Sequence, residues 1–365
     1  MRRPVIPSRQ LGRGKLAGAF RRLVMRRVRR TYFGTIVALC IAIGGRPAVA
    51  DEARELRLGH FPNITHAQAI YARATGQFEQ KLGVPVRWNS FNAGPTAIEA
   101  LFADAIDAAF VGPNPAINGY IKSNGAKFVI IAGGASGGAG LVVRADAGIK
   151  TEKDFNDKII ATPQLGNTQD VAARTWFGER GYKLKEKGGR LTLLPLSNPD
   201  QLTLLQKKEI HGAWTVEPWL ARLELEGGGE LFLDEKVLWP DGRYVTTHLI
   251  VSRTFLARNP ELVRKLLEAL VEVTQQINAD KGAASRVLNA ELKKETGKAL
   301  PDAVITRAME RVEFTWDPIG ASLRKSAGAA YQVGFLRTPP DLAGIYSLRL
   351  LNEVLQEKQL PPVAE

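Results

Sequence analysis

The chain has 365 residues, 45% of them hydrophobic, with 50 lysines and arginines, 37 aspartates and glutamates, and a single cysteine. This composition excludes a disulfide-rich miniprotein, a coiled coil and a wholly disordered chain, and the length suits about two domains. The excess positive charge lies at one end. Residues 1–50 hold twelve basic residues and no acidic one, so residues 51–365 have 38 basic and 37 acidic residues. We therefore expect no nucleic-acid-binding surface on the folded part.

The first 50 residues have the order of a secretory signal peptide. An arginine-rich segment is followed by an apolar run at residues 33–43 and then by Ala48-Val49-Ala50, which is the small-residue pattern of a cleavage site. A membrane anchor is the alternative, but the run is shorter than the roughly 20 residues that a bilayer requires. We predict cleavage near Ala50, directly after that residue, and export to the periplasm.

Two details of this segment concern export. Arg29-Arg30 is compatible with a twin-arginine signal, so the general and the twin-arginine routes both stay open. Cys40 lies inside the apolar run, and the mature chain would therefore contain no cysteine. A periplasmic protein of this size has a core large enough to be stable without disulfides.

From residue 51 onward, strand and helix patterns alternate, which is typical of the α/β class. The first group has predicted strands at 55–59, 84–91, 106–111, 127–132 and 141–144, helices at 65–76, 95–105 and 113–123, and a glycine-rich turn at 133–140. The second has strands at 158–162, 191–196, 212–216 and 230–234, and helices at 167–180, 200–209 and 218–226. A strand at 248–252 follows, and the pattern from Asn259 onward is almost entirely helical.

This order of elements predicts two lobes. Residues 51–145 and 247–365 would form the first lobe, with the helices at its C-terminal end, and residues 146–246 the second. Two strands would then cross between the lobes and form a hinge. Such lobes bind ligands between the carboxyl ends of their strands, where helix N-termini point into the cleft.

Five turns between predicted elements are candidates for the binding site because they are rich in Gly, Pro, Asn, Thr and Ser. They comprise residues 61–66, 92–96, 112–115, 133–140 and 164–169. Pro inside a helix start and Asn or Thr at its cap leave backbone N–H groups directed outward, with the positive end of the helix dipole behind them. Several such ends form an anion site without lysine. Each turn alone could be an ordinary cap, so the hypothesis depends on the five together.

The motif FNAGPTAIEAL at residues 91–101, followed by Ile106-Asp107 and by VGPNP at residues 111–115, resembles the periplasmic solute-binding proteins for aliphatic sulfonates, taurine and nitrate. Residues 161–170 and AWTVEPW at residues 213–219 fit second-lobe motifs of the same family. The resemblance covers most of residues 55–252. It implies a type II periplasmic-binding-protein fold, closure of the lobes on a small anionic solute, and delivery to an inner-membrane ABC permease. A monomer without cofactor is expected.

The resemblance also implies positions for the ligand. The turns Gly94-Pro95-Thr96 and 112–114 would hold one side, the turn 166–168 the other, and Trp214 and Glu217 would line the organic end. The complete set of expected ligand-binding residues is Asn63, Thr65, His66, Gly94, Pro95, Thr96, Gly112, Asn114, Ser136, Gly166, Asn167, Thr168, Trp214 and Glu217.

The identity of the anion stays open at this point. Two turns depart from the pattern common in sulfonate binders, which have an acidic residue after Gly112 and a serine-rich turn where this chain has residues 166–169. A sulfonate is the first expectation, with taurine, nitrate, bicarbonate and other small organic anions as alternatives. Glu217 beside a ligand ammonium group would favour an aminosulfonate, but an acid at a helix start is also favoured by the helix dipole. Trp214 and Trp219 could each belong to the core or to the pocket.

An enzyme built on the same fold is the competing hypothesis. Residues 134–138 match the Gly-x-Ser-x-Gly pattern of a nucleophile elbow, yet a strand is predicted after them where such an elbow needs a helix. The four histidines show no metal-binding spacing, and there is no HExxH motif, cysteine cluster or Walker motif. The cysteine-rich motif of pyrimidine-synthase-like enzymes and the helix-turn-helix of LysR-type regulators are also absent from the sequence. We therefore expect a receptor that performs no chemistry.

Overall fold

Two mixed β-sheets organise residues 53–365, the part of the chain that the computed structural model describes. The predicted signal peptide and its cleavage site lie outside the described residues. Within the described range, no helix is long and apolar enough to span a bilayer. Alternating strands and helices confirm the predicted α/β class.

The strands divide between the two sheets in an order that brings distant segments together. In chain order they are β1 Leu56–His60, β2 Val86–Ser90, β3 Ala108–Val111, β4 Phe128–Gly137, β5 Ala139–Arg144, β6 Ile159–Thr162, β7 Thr192–Pro195, β8 Gly212–Val216, β9 Gly229–Asp234, β10 Val245–Ser252 and β11 Val312–Phe314. The first sheet has the order β11-β4-β10-β3-β1-β2 and the second β7-β6-β8-β5-β9. In the first sheet, β3 pairs in parallel with β1 and antiparallel with β10. In the second sheet, β8 pairs in parallel with β6 and antiparallel with β5.

Most helices begin directly after a strand. The helices are α1 Ala67–Thr75, α2 Gln77–Leu82, α3 Gly94–Phe102, α4 Pro113–Lys122, α5 Thr168–Glu179, α6 Asn198–Gln206, α7 Trp219–Leu225, α8 Arg253–Arg258, α9 Pro260–Ala279, α10 Lys281–Thr296, α11 Asp302–Arg311, α12 Gly320–Gln332 and α13 Arg349–Glu357. Proline in the first turn starts α3, α4 and α6, because its fixed φ suits a helix and its missing N–H is not needed there.

The chain crosses between the sheets twice. The first crossing is at Gly138, which separates β4 from β5 and has φ of +70°, a conformation that favours glycine. The second lies in residues 235–244, between β9 and β10. The first change of sheet precedes the expected boundary at residue 145, because β5 pairs with β8 and β9 in the second sheet.

The predicted turn at residues 133–140 is wrong in its first part. Strand β4 continues through Gly133 to Gly137 and pairs with β10 and β11. A Cβ atom on Gly133 would lie 2.1 Å from the carbonyl oxygen of Asp317, so glycine is needed there for close backbone approach. Glycine at residue 133 thus reflects close packing of strand β4. The chain reverses only at residues 137 and 138, where φ is positive.

Each lobe has its own apolar core. In the first, β3 is buried on both faces, and Val263, Leu267 and Leu270 of α9 are fully buried in the same apolar cluster. The second core is aromatic: the ring of Phe155 meets that of Phe177 edge-on, with centroids 4.9 Å apart. Separate cores allow the two lobes to move as units about the crossings.

Candidate functional site

A small cavity lies between the two lobes, at the ends of strands from both sheets. Its volume is about 20 Å³, enough for roughly one water-sized group, so the lobes lie close together. Both lobes contribute to its wall, which consists of Phe61, Asn63, Thr65, His66, Asn92, Ala93, Gly112, Pro163, Asn167, Thr168, Gln169, Asn198, Val216 and Thr246. We call this space the anion cavity.

Four helices begin at the anion cavity, two from each lobe. Ala93 precedes α3 and Gly112 precedes α4 in the first lobe, while α5 starts at Thr168 and α6 at Asn198 in the second. The N-cap residues of α3, α4 and α6 accept no N–H of their helices through a side chain, whereas the Asn167 side chain accepts the N–H of Thr168 at the start of α5. First-turn N–H groups of α3, α5 and α6 therefore stay available for a ligand, while in α4 the residues on either side of Asn114 are prolines and the N–H of Asn114 meets Thr168.

The positive potential of this cavity comes from dipoles. No Lys, Arg, Asp or Glu is among its lining residues, and the amides and hydroxyls there are neutral. Each helix N-terminus carries about half a positive charge from its aligned peptide groups. An anion would thus meet partial positive charges from both lobes, which Asp170 and Asp200 in the first turns of α5 and α6 partly offset in the second lobe.

His66 is the one titratable side chain in this wall. Desolvation by burial, with a smaller effect of His60, lowers the pKa of His66 well below its ordinary value, so the ring is neutral near pH 7. Its Nδ1 accepts the backbone N–H of Phe61 at 3.3 Å, which leaves the proton on Nε2. The ring is therefore one further neutral hydrogen-bond donor.

Three hydrogen bonds connect the lobes around the cavity. The indole N–H of Trp219 donates to Oδ1 of Asn63 at 3.0 Å, the backbone N–H of Asn114 donates to Oγ1 of Thr168 at 3.4 Å, and the N–H of Ile64 donates to the carbonyl of residue 217 at 3.1 Å. Gly112 makes the closest approach to the opposite lobe, because a Cβ atom there would lie 2.6 Å from the same Thr168 hydroxyl.

A buried ion-pair cluster also connects the lobes. Arg311, at the end of α11, donates to both carboxylate oxygens of Glu224 on α7, at 2.5 and 3.1 Å, and to Glu217 at 3.2 Å. Burial raises the pKa of Glu217 to about 7, although the N–H of Ala221 and the guanidinium of Arg311 oppose this shift. Glu217 is wholly buried beside the first crossing and accepts from protein groups on both oxygens.

Two larger spaces flank the anion cavity. An outer cavity of about 390 Å³ shares Asn63, Asn92 and Asn198 with it and includes Arg222 and Lys298 in its wall. On the opposite flank, a side chamber of about 140 Å³ shares Thr168 with it. Both spaces lie between the lobes, so the cleft extends well beyond its narrow centre.

The structure brings together part of the expected ligand-binding set. The residues that line the anion cavity are Asn63, Thr65, His66, Gly112, Asn167 and Thr168. Asn114 lines the side chamber. The remaining expected residues line neither these two spaces nor the outer cavity; they are Gly94, Pro95, Thr96, Ser136, Gly166, Trp214 and Glu217.

Trp214 lies in the core of the second lobe, because its position on β8 turns it away from the cleft. The side chain is fully buried, and its N–H donates to Glu235 at 2.8 Å. Ser136 lies within β4 and accepts the N–H of Tyr244 at 3.4 Å. The placement of these two residues does not fit the expected contact with a ligand.

The turn at residues 94–96 and Gly166 are displaced from the cavity for steric reasons. A Cβ atom on Gly94 would overlap Pro115 at 2.3 Å, so this glycine serves helix packing. The Thr96 side chain is exposed, and its hydroxyl donates to the carbonyl of Ala93 at 2.8 Å. Pro95 occupies the first turn of α3. Gly166 has φ of +73° and lies near Phe335 at the rim of the cleft.

Several residues of the cavity wall are additional to the expected ligand-binding set. Asn92 and Gln169 lie within the candidate turns at residues 92–96 and 164–169, whereas Asn198 and Thr246 lie outside all five turns. Asn198 follows Ser197 and precedes Pro199 directly after a strand, which is the same signal that marked the other turns. Thr246 lies on β10, two residues before the strand start predicted at residue 248.

Two α/β lobes, joined by two crossings and meeting at a cleft bordered by helix N-termini, define the type II periplasmic-binding-protein architecture. A sequence model of the NMT1-like family matches residues 49–290. The chain belongs to this family, and the resemblance expected from its motifs is thereby confirmed.

Known proteins with similar sequences or structures agree with this assignment. A protein of Bacillus subtilis (strain 168), named for binding aliphatic sulfonates, is 22% identical over 330 residues, which cover 88% of this chain and 95% of that protein. The alkanesulfonate-binding protein SsuA from Xanthomonas axonopodis pv. citri, solved with bound MOPS, has a TM-score of 0.68 at 19% identity, covering 81% of this chain and 99% of that one. The periplasmic nitrate-binding protein NrtA from Synechocystis PCC 6803 has a TM-score of 0.73 at 16% identity, and the match covers 85% of this chain and 90% of that one. The two-lobed fold is shared with both structures.

Within residues 53–365, no group of three or more His, Cys, Asp or Glu side chains is arranged to hold a metal ion. His60 pairs with Glu295, and His248 lies at 3.0 Å from the carbonyl oxygen of Pro318. The ring of His211 accepts the N–H of Ile159 at 3.0 Å. These histidines have structural partners that are well separated in the fold.

Proposed function

We propose that this protein is the substrate-binding component of an ABC importer and that it captures a small organic anion, in the first place an aliphatic sulfonate, by closure of its lobes. The observation that carries the proposal is the meeting of four helix N-termini, two from each lobe, at an uncharged cavity. The sulfonate- and nitrate-binding relatives support an anion as the ligand class. Taurine, nitrate and bicarbonate are the alternatives that the test must separate.

Closure creates the affinity in this proposal. An anion first meets the N–H groups of one lobe in water, and the second lobe then covers it and removes the solvent. Hydrogen bonds to a charged acceptor contribute about 1.5–3 kcal/mol each, and exclusion of water strengthens them. The neutral Nε2–H of His66 and the amides of Asn63 and Asn167 would supply additional donors.

The wall of the cavity suits binding without reaction. A nucleophile needs an adjacent base within hydrogen-bond reach, and the only ring nitrogen of His66 that could accept a proton already accepts the N–H of Phe61. Thr65, Thr168 and Thr246 therefore have no free basic partner in the wall. The proposal is accordingly a receptor whose ligand leaves unchanged.

Export and partner follow from this role. We propose that residues 1–50 direct the chain to the periplasm and are removed after Ala50, and that the closed, loaded form docks to an inner-membrane permease. The first lobe would comprise the chain segments that precede and follow the strands of the second sheet. The crossings at Gly138 and at residues 235–244 would form the hinge.

Isothermal titration calorimetry of the exported protein tests the proposal. Methanesulfonate, taurine, nitrate and bicarbonate are titrated separately, and each sample is then analysed for chemical change of the ligand. Stoichiometric binding of one anion, recovered unchanged, is the expected result, with methanesulfonate the tightest. Conversion of any ligand, or the failure of all four anions to bind, contradicts the proposal.

A further inference from the structure

The side chamber is enclosed by three separate parts of the protein. Val171 and Trp176 on α5 belong to the second lobe, Ala329 on α12 belongs to the first, and Leu238 and Trp239 lie on the segment of the second crossing. A group that occupies the chamber can touch all three walls only when the lobes are closed. Its binding would therefore favour closure directly.

The chamber and the anion cavity share one side chain. Thr168 lines both spaces, and its hydroxyl meets the backbone N–H of Asn114 at 3.4 Å. This distance is at the long end for a hydrogen bond, so the contact contributes little to the separation of the two spaces. A ligand whose charged head lies in the anion cavity can thus extend its remaining part past Thr168.

The chamber wall is chemically suited to a flat apolar group. Two indole rings and several aliphatic side chains form most of its surface. Its volume of about 140 Å³ is close to that of an apolar cavity known to hold benzene, roughly 150 Å³. Aromatic groups also gain from edge-to-face contact with indoles.

Several polar groups also line the chamber. Oγ1 of Thr175 and Nε1 of Trp176 are buried without a hydrogen-bond partner among the described residues. Glu235 accepts the indole N–H groups of Trp214 and Trp239, while Glu179 and Lys325 are exposed. An acceptor substituent on the entering ring would satisfy the two unpartnered donors, which an unsubstituted ring leaves unpaired.

The outer cavity is larger than the side chamber, and both have charged side chains in their walls. These are Arg222, Glu295 and Lys298 in the outer cavity, and Glu179, Glu235 and Lys325 in the chamber. The chamber is the closer of the two to the volume of a single ring.

We infer that the side chamber is a subsite for the organic tail of the bound anion, and that the protein selects anions carrying a single compact ring, preferably aromatic, over those with a methyl group. This inference rests on the proposed function and names its substrate class. The ring would lie beside Trp176 and Trp239, whose faces are covered by Arg180 and by Tyr244 and Lys325 respectively. The acidic head would be held at the helix N-termini.

Calorimetric titration with methanesulfonate and benzenesulfonate tests the inference, because the two share a head group and differ in the tail. The wild type should bind benzenesulfonate at least about tenfold more tightly, given the apolar surface that the ring buries. Ala172→Phe, which fills the chamber from α5, should remove this preference and leave methanesulfonate affinity within about twofold. Ala329→Leu fills the chamber from the opposite lobe and should act in the same direction.

Ala299→Phe is the matched control, because Ala299 lines the outer cavity and should leave both affinities unchanged. Retained methanesulfonate binding establishes that each variant is folded. Equal affinity of the wild type for the two sulfonates, or loss of the benzenesulfonate preference in Ala299→Phe alone, overturns the subsite while the proposed function stands. Failure of the wild type to bind either sulfonate, nitrate, taurine or bicarbonate overturns both.

Discussion

Trp219 and Asn63 are joined by a hydrogen bond of 3.0 Å that runs from the second lobe to the first. Both side chains are buried, and both line the outer cavity. Each residue follows the carboxyl end of a central strand, β8 and β1 respectively. The bond can exist only while the lobes are closed, so it contributes to the closed form and not to the folding of either lobe alone.

Trp219→Phe should weaken anion binding and leave the stability of the protein nearly unchanged. The variant keeps an aromatic ring but removes the donor, at a cost of about 1 kcal/mol to the closed form, or about fivefold in affinity. Trp88→Phe is the control, since the N–H of Trp88 donates to Glu79 at 2.9 Å within the first lobe. Calorimetry on both variants checks this; equal losses of affinity would contradict the role in closure.

Arg311→Met should lower the free energy of unfolding by about 3 kcal/mol, because removal of one partner leaves the buried carboxylate of Glu217 without a counter-ion. Glu224 keeps a contact with Arg307 at 3.6 Å. Arg311 pairs with Glu224 and Glu217, of which the second is wholly buried. Urea denaturation provides the measurement. Arg243→Met serves as the control: its pair with Glu313 is about half exposed, and exposed pairs contribute about 1 kcal/mol or less. A similar loss in both variants would mean that the buried cluster contributes no more than a surface pair.

Glu235→Gln should affect the free energy of unfolding more favourably at pH 8 than at pH 5. The amide cannot ionise, but it has only one oxygen to accept the N–H groups of Trp214 and Trp239, and this loss is the same at both pH values. Burial raises the pKa of Glu235 from its ordinary value of 4.5 to about 7. Between these values the folded protein keeps a proton that the unfolded chain has lost, so the contribution of this group to stability falls as the pH rises through the window. Above pH 7 the full cost of the buried charge applies, and the neutral amide avoids it.

Thermal unfolding of Glu235→Gln at the two pH values measures this effect, with Glu310→Gln as the control for an exposed glutamate. Relative to the wild type, the variant should be favoured by about 2–3 kcal/mol more at pH 8 than at pH 5. An effect of equal size at both pH values would show that packing or hydrogen bonding, rather than ionisation, distinguishes the two side chains.

Local signals in the sequence were sufficient for much of the fold. Strand β8 was predicted at residues 212–216 and is found there, because its alternation and flanking turns are both local. The helix starts at residues 113 and 168 were also close to their predicted positions, since Pro, Asn and Thr act within one turn. The class and the order of elements followed from these signals.

The direction of individual side chains could not be predicted from these local signals. Trp214 and Trp219 are five positions apart, and only the pairing of Trp214 with Leu141 across β8 and β5 places the first in the core. Trp219, in contrast, lies at the cleft in the wall of the outer cavity. Asn92 lines the cavity, whereas Thr96, four residues later, lines none of the three spaces of the cleft. The local sequence does not distinguish these two exposed polar side chains.

Gly112→Ala should hinder closure without disturbing the first lobe. Gly112 has φ of −69° and ψ of 161°, an extended conformation that alanine adopts freely, so the backbone is not strained by the change. The new Cβ atom would lie 2.6 Å from the Thr168 hydroxyl on the opposite lobe. Relief of this overlap requires the lobes to separate slightly, and we expect about tenfold weaker binding of the preferred anion.

Removal of the Thr168 hydroxyl should restore part of the affinity that Gly112→Ala loses. In Gly112→Ala combined with Thr168→Ala, the nearest atom at position 168 is Cβ at 3.6 Å, an ordinary van der Waals contact. Thr168→Ala alone loses one donor to the ligand, so the two changes should be strongly non-additive in a double-mutant cycle. Gly178→Ala, where a Cβ atom meets nothing within 4 Å, is the control and should bind as the wild type does. Strict additivity of the two substitutions would place the ligand away from the contact between Gly112 and Thr168.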